Sequence, residues 1–348
     1  MKENKLKWRG IIVSLLILLV ITVVLGTSLG AVQISFQEVV KVLAKRIPLI
    51  KDMIDLGQKA GVNETIIFKI RFPRVILAGL VGLALATSGT VFQALLKNPM
   101  ADPYVIGISS GASLGATLAM IGDLQFDLLG LNSIPVFAFI GALVTTFIVY
   151  NLAKVGKRIS VTTLLLAGIA VGSTLSAVVS LLMVFNDQNM HQIVFWIMGS
   201  LASKSWTDVN MIWIYILIGY IIVHILAQDL NIMLLGDDSA QSLGVDVERL
   251  KKILLVTGAL LAGAAVAGSG VIGFVGLIIP HIVRLLVGPD HRILIPSSAL
   301  IGAIFLILTD TFARTVIAPT EIPVGIITSL FGGPFFIYLL NKKKGTGF

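Results

Sequence analysis

Apolar runs of membrane-crossing length recur from one end of the chain to the other. A hydrocarbon core of about 30 Å needs about 20 apolar residues in helical form. Ten segments meet or approach that length, near 10–32, 72–96, 104–122, 133–153, 161–185, 208–228, 252–269, 271–288, 293–314 and 323–341. The pattern predicts an all-α polytopic membrane protein of about ten transmembrane helices, with residues 1–348 forming a single transmembrane domain. The third run is short, and the seventh and eighth are almost continuous, divided only by Gly268-Ser269-Gly270. No polar stretch between the runs is long enough to bury a core of its own.

Lipid gives helices no hydrophobic reason to associate, so close packing needs small side chains at the contact. Such residues stand four apart at Gly107, Gly111 and Gly115, and again at Gly168, Gly172, Ser176 and Ser180. Each set lies along one helix face. For the fifth span two uses are open: packing within the subunit, or lining a pathway or subunit seam. The stretch VGLALATSGTV (81–91) resembles AGAAVAGSGVI (262–272), and five spans separate the two, so they run in opposite directions. That is the pattern of an inverted internal repeat, common in transporters.

Basic residues orient the spans. With the N-terminus inside, Lys154, Lys157, Arg158, Arg249, Lys251, Lys252, Arg284, Arg292 and Lys342–Lys344 all fall inside, and both termini are cytoplasmic. The N-terminal run reads as a retained span rather than a signal peptide, since no clear A-x-A site follows it. Two outside exceptions remain. The extracytoplasmic loop 33–71 carries Lys41, Lys45, Arg46, Lys51, Lys59, Lys69 and Arg71, with Arg74 just inside the next span, and Arg314 ends the ninth span. Long loops translocate regardless of charge.

Composition agrees: 56% of the 348 residues are hydrophobic, 13% are charged, and mean hydropathy is +0.99. The net charge of +8 reads as topology and contact with membrane lipid, not as nucleic-acid binding. The absence of cysteine excludes disulfides, thiol nucleophiles and thiolate metal sites. His191, His224, His281 and His291 show no ligand spacing, and Met190 and Met198 read as packing, so no metal site is expected.

The segment 229–250 is cytoplasmic by this count and unusually polar. Asp237 or Asp238 can cap a short helix there, and Gly244 can end it. The expected product is a stubby helix along the membrane with Ala240 and Leu243 exposed: either a solvated loop or a plug for a groove on a cytoplasmic partner. Ser160 can cap the fifth span. The chain has no G-x-x-x-x-G-K-[ST] loop, so it cannot hydrolyse ATP itself. An ion-coupled secondary transporter is the alternative, but it needs acids or cation ligands near mid-membrane. Asp310 is the acid in question, and Arg314 four residues on can neutralise it. No nucleophile–base set supports an enzyme.

The residues RFPR (71–74), SGTVFQALLKNPMADPYVIGISSGA (88–112), LLLAGIA (164–170), FWIMGSL (195–201), LLGDDSAQSLG (234–244), SGVIGFVGLIIPHIVRLLVGPDHR (269–292) and EIPVGIITSLFGGPFFIYLL (321–340) carry a family resemblance. In them the chain resembles the permeases of ABC importers for iron–siderophore complexes, heme and cobalamin. The resemblance implies ten helices per subunit in the cytoplasmic membrane of a prokaryote. It also implies a second permease copy (homodimer, or heterodimer with a paralogue), two cytoplasmic ABC ATPase subunits holding ATP and Mg, and an extracytoplasmic substrate-binding protein. No cofactor is expected on this chain. Arg71, Arg74 and Arg314 match outward-facing arginines that meet glutamates of the binding protein. Asp237, Asp238, Ser239, Ala240, Gln241, Leu243 and Gly244 match the coupling helix that docks on the ATPase. Ser160, Val161 and Thr162 match a cytoplasmic gate, and Gly168, Gly172 and Ser176 lie on the span that encloses the pathway. The implied mechanism is alternating access along a wide, weakly specific path.

Overall fold

The computed structural model describes residues 2–30, 32, 34–46, 60–124, 133–156 and 158–344; Lys51, Lys59 and Lys157 lie outside them. Seven helical stretches are long and apolar enough to cross a membrane, and three shorter apolar helices accompany them. Together these fall on the ten apolar runs. In chain order the long helices are α1 (Lys2–Ser28), α4 (Phe72–Leu95), α6 (Ser133–Ala153), α7 (Val161–Phe185), α9 (Trp206–Ile225), α12 (Val247–Ser269) and α14 (His291–Ala313). The shorter spanning pieces are α5 (Ile108–Ile121) and α13 (Val275–Val287), and α15 (Val324–Lys344) closes the chain.

Helices α4, α12 and α14 are buried over most of their length, whereas α1, α7 and α9 expose most of theirs. Glycine explains the tight centre. A Cβ on Gly82 would overlap the carbonyl of Gly302, and one on Gly89 would overlap that of Gly276. With no side chain at these points, the backbones of α4, α14 and α13 come into direct contact. The element order then repeats. Long α4 breaks at Gly107 (φ 81°) before short α5, α6 and α7; long α12 breaks at Gly270 (φ 70°) before short α13, α14 and α15. The two breaks touch, for Tyr104, in the 3-10 turn Pro103–Ile106, donates its hydroxyl hydrogen to Ile272 O at 3.1 Å.

Three local features differ from the sequence expectation. The region 33–71 is not a plain loop: it holds α2 (Phe36–Ala44), α3 (Ala60–Thr65) and a π-helical turn, Ile66–Arg71, that runs on into α4. A short helix, α8 (Asp187–Ile197), lies between α7 and α9, where only a connection was expected. A two-residue hairpin, β1 (Lys154–Val155) with β2 (Arg158–Ile159), precedes α7. The polar segment after α9 folds as α10 (Ala227–Met233) and α11 (Asp237–Ser242). Below, "inner face" means the end carrying α11 and the hairpin, and "outer face" the end carrying Arg71, Arg74 and Arg314.

Candidate functional site

At the outer face the three arginines are buried, each less than a tenth exposed, instead of projecting outward. Arg71 closes the π-helical turn and folds back onto the end of α1. It donates to Ser28 O at 2.8 Å and also to Val32 O, with its guanidinium lying against Gly30. Arg74, one turn on, forks between two acids. Its Nε and Nη2 reach Asp310 on α14 at 3.0 and 2.9 Å, and its Nη1 reaches Glu321, just before α15, at 2.8 Å. Arg314 donates to Gly26 O and stands 3.7 Å from Asp310. The reason is electrostatic: five fixed donors on a desolvated guanidinium must find acceptors, and here carbonyls and carboxylates supply them. The intrahelical Asp310–Arg314 pair exists, but Arg74 holds the shorter contacts. Sequence reasoning missed Glu321. The signal was the surplus of cations, three arginines facing one aspartate.

The small-residue face of α7 serves two uses along its length. At Gly168 a Cβ would overlap Val105 O, and Gly172 is buried beside Gly107, so this end is a packing surface. Further along, Ser176 Oγ lies 3.1 Å from Ser110 Oγ. Ser109, Ser110, Ser113, Ser176 and Ser180 line an open pocket of about 250 Å³ together with Val179, Met183, Ile197 and Val271. The two readings of this face therefore divide between its halves.

At the inner face Ser160 caps α7, its Oγ accepting from Thr163 N at 3.3 Å; Val161 is half-buried and Thr162 exposed. The expected stubby helix is α11, bounded by Gly236 and Gly244. One expectation is corrected: Ala240 is fully buried, while Leu243 is exposed. The six-residue helix turns its middle inward. The Ala240 amide donates to Gly236 O at 2.9 Å and its carbonyl accepts from Val245 N at 3.0 Å, which folds the segment back over the alanine. Leu234, Leu235 and Leu243 instead form an exposed apolar rim, with exposed Asp238, Ser239 and Gln241 between them in the chain and Gly244 following.

A run of polar contacts leads away from α11. Asp237 accepts from Lys97 at the end of α4 (2.7 Å) and from Lys251 on α12 (2.6 Å). Lys251 lies 3.5 Å from Glu248, and Glu248 accepts from the Ile159 amide at 3.0 Å, immediately before the α7 cap. Burial alone would raise the Asp237 carboxyl, but the hydrogen bonds from Lys251 and Lys97 outweigh it and hold the carboxyl below the usual range. Lys97 and Glu248 were not singled out from sequence, because their pairing spans 140 and 89 residues of chain.

The FecCD transport family matches residues 18–342. The cobalamin import system permease protein of Halobacterium salinarum is 44% identical over 82% of this chain and 76% of its own length. The hemin transport system permease protein of Yersinia pestis is 42% identical over 95% of each. A solved structure, an inward-facing conformation of a metal-chelate type ABC transporter, superposes with a TM-score of 0.82 at 34% identity, covering 96% of this chain and 99% of that one.

Proposed function

This chain belongs to the FecCD transport family, and on that premise we propose that it carries a bulky metal chelate, an iron–siderophore foremost with heme or cobalamin as the same class of cargo, into the cell. It is a multi-pass membrane permease without a catalytic role of its own. The serine-lined pocket between α5 and α7 offers hydroxyls without fixed charge, suited to a path of low specificity.

The observation that carries the reading is the contact run from α11 through Asp237, Lys251 and Glu248 to the start of α7. It supports a coupling role for α11. Two cytoplasmic ATPase subunits, holding ATP and Mg, would grip the rim of Leu234, Leu235 and Leu243. Their closure would pull on α12 and the hairpin, and so on the gate at Ser160–Thr162. A second permease copy, identical or a paralogue, would complete the path against α7 and α15, where Leu166, Ile169, Leu330 and Phe331 lie exposed. Membrane lipid covers the remaining apolar surface. The basic residues favour a cytoplasmic inner face, in the cytoplasmic membrane of a prokaryote, with both termini there.

The outer face then receives the substrate-binding protein. Arg71, Arg74 and Arg314 form the floor of that docking surface, and an incoming carboxylate reaches Arg74 by displacing the half-exposed Glu321. Glu321→Gln should tighten docking, measured by binding-protein affinity across a salt series; unchanged affinity removes Arg74 from the contact. The function itself is tested in proteoliposomes holding the permease, its ATPase and the binding protein, with a panel of chelates. ATP-dependent uptake is expected. Uptake by the isolated chain on an ion gradient, without ATP, would overturn it.

A further inference from the structure

Between the inner halves of α6 and α12 lies a groove of about 320 Å³. Leu143, Phe147 and Tyr150 from α6 and Val256 and Ala259 from α12 line it, with Lys252 at its inner end. Residues three and four apart share a helix face, so the two helices each contribute one continuous wall. From Lys252 to Ala259 the groove runs about 10 Å along α12, most of the depth of one leaflet of about 15 Å. Phe147 and Val256 are exposed on its lips.

Its charge is as informative as its shape. Lys252 is exposed and has no ion-pair partner among the described residues, although Lys251 beside it is paired with Asp237 and Glu248. The acid one turn back, Glu248, is already committed to Lys251 and to the Ile159 amide. A free ammonium at the mouth of an apolar slot, with a tyrosine alongside, matches one kind of occupant. Aromatic and basic residues of this kind sit at headgroup level.

We propose that this groove is a binding site for an anionic phospholipid of the inner leaflet, its acyl chain between α6 and α12 and its phosphate on Lys252. The site adjoins the coupling strip, for Lys251 on the next position holds Asp237 of α11. Occupancy therefore steadies the end of α12 through which α11 would act. The proposal does not depend on the cargo or on the ATPase reading.

The chain lacks cysteine, so Val144→Cys, an exposed position next to Leu143 of the groove's α6 wall, takes a single fluorescent label. The labelled full-length protein, reconstituted as the assembled transporter, is titrated with doxyl-labelled phosphatidylglycerol or doxyl-labelled phosphatidylcholine. Quenching by phosphatidylglycerol should reach its midpoint at about fivefold lower mole fraction, the weight of one lysine near the surface. Lys252→Gln should abolish that preference, and Lys252→Arg should restore it. Equal quenching by both lipids, or a preference that survives Lys252→Gln, would overturn the proposal. Absence of quenching by either lipid would mean that a protein segment fills the groove, and would overturn it equally.

Discussion

Arg74 at the outer face and Asp237 at the inner face each bridge two partners of opposite sign, but in different surroundings. The side chains of Arg74 and Asp310 are 10% and 1% exposed, whereas Asp237 is 38% exposed. A buried pair is screened little, and removing one partner strands a charge in a medium that cannot solvate it. A half-exposed pair is screened by salt and gains little net stability, so it can be broken and remade cheaply. The outer network therefore holds α1, α4, α14 and the lead-in to α15 together. The inner strip is suited to change partners when another protein docks.

Substitutions at the two ends should differ most in stability. Asp310→Asn leaves Arg74 and Arg314 short of a counter-charge and should cost about 3–5 kcal/mol, seen as a large drop in thermal midpoint of the purified protein. An unchanged midpoint would erase the contrast. Ala240→Arg comes next. At a fully buried alanine the added bulk should cost about 1–3 kcal/mol, so lost coupling in that variant would report misfolding. Leu243→Arg is the sharper probe: at an exposed position it should leave the midpoint unchanged while removing ATPase-driven uptake. Asp237→Asn should cost less than Asp310→Asn, because buried Lys251 keeps Glu248 at 3.5 Å as a counter-charge and Lys97 is left in solvent, and added salt should shrink the difference further.

The smallest effect is in pH. Hydrogen bonding to Arg292 is the main cause holding the Asp290 carboxyl down to about 2, and Asp237 is held down by Lys251 and Lys97 against its own burial. A carboxyl depressed in the folded state contributes stability above its unfolded value of about 3.9, lost as pH falls through the folded one. The contribution of these two carboxyls should thus stay flat from about pH 8 to pH 5 and decline only below about pH 4, so Asp290→Asn should leave the pH dependence of a thermal-midpoint series unchanged above pH 5. A fall centred near pH 6 in a thermal-midpoint series would mean that other groups dominate.

The spans and their order were legible in the sequence, because a bilayer requires apolar runs of fixed length. Even the short α5 and α13 stood out, the latter through Gly268-Ser269-Gly270. The position of α11 was legible from its bracketing glycines. The inward turn of Ala240 was not, since a six-residue helix carries too little periodicity to mark its buried side. Arg71, Arg74 and Arg314 could be seen as a group, yet their burial could not. It depends on a π-helical turn and on acceptors in α1, α14 and Glu321, remote in sequence. The inner contact run was invisible for the same reason: Lys97, Asp237, Glu248 and Ile159 come together only through the packing of α4, α12 and the hairpin.

Whether the inner strip carries motion from α11 to α7 can be read from the ratio of chelate imported to ATP hydrolysed in proteoliposomes. Glu248→Gln weakens the charged acceptor for the Ile159 amide without touching α11 or its exposed leucines. ATP hydrolysis should run at the wild-type rate while uptake per ATP falls about tenfold. A ratio equal to wild type would contradict that role for the strip.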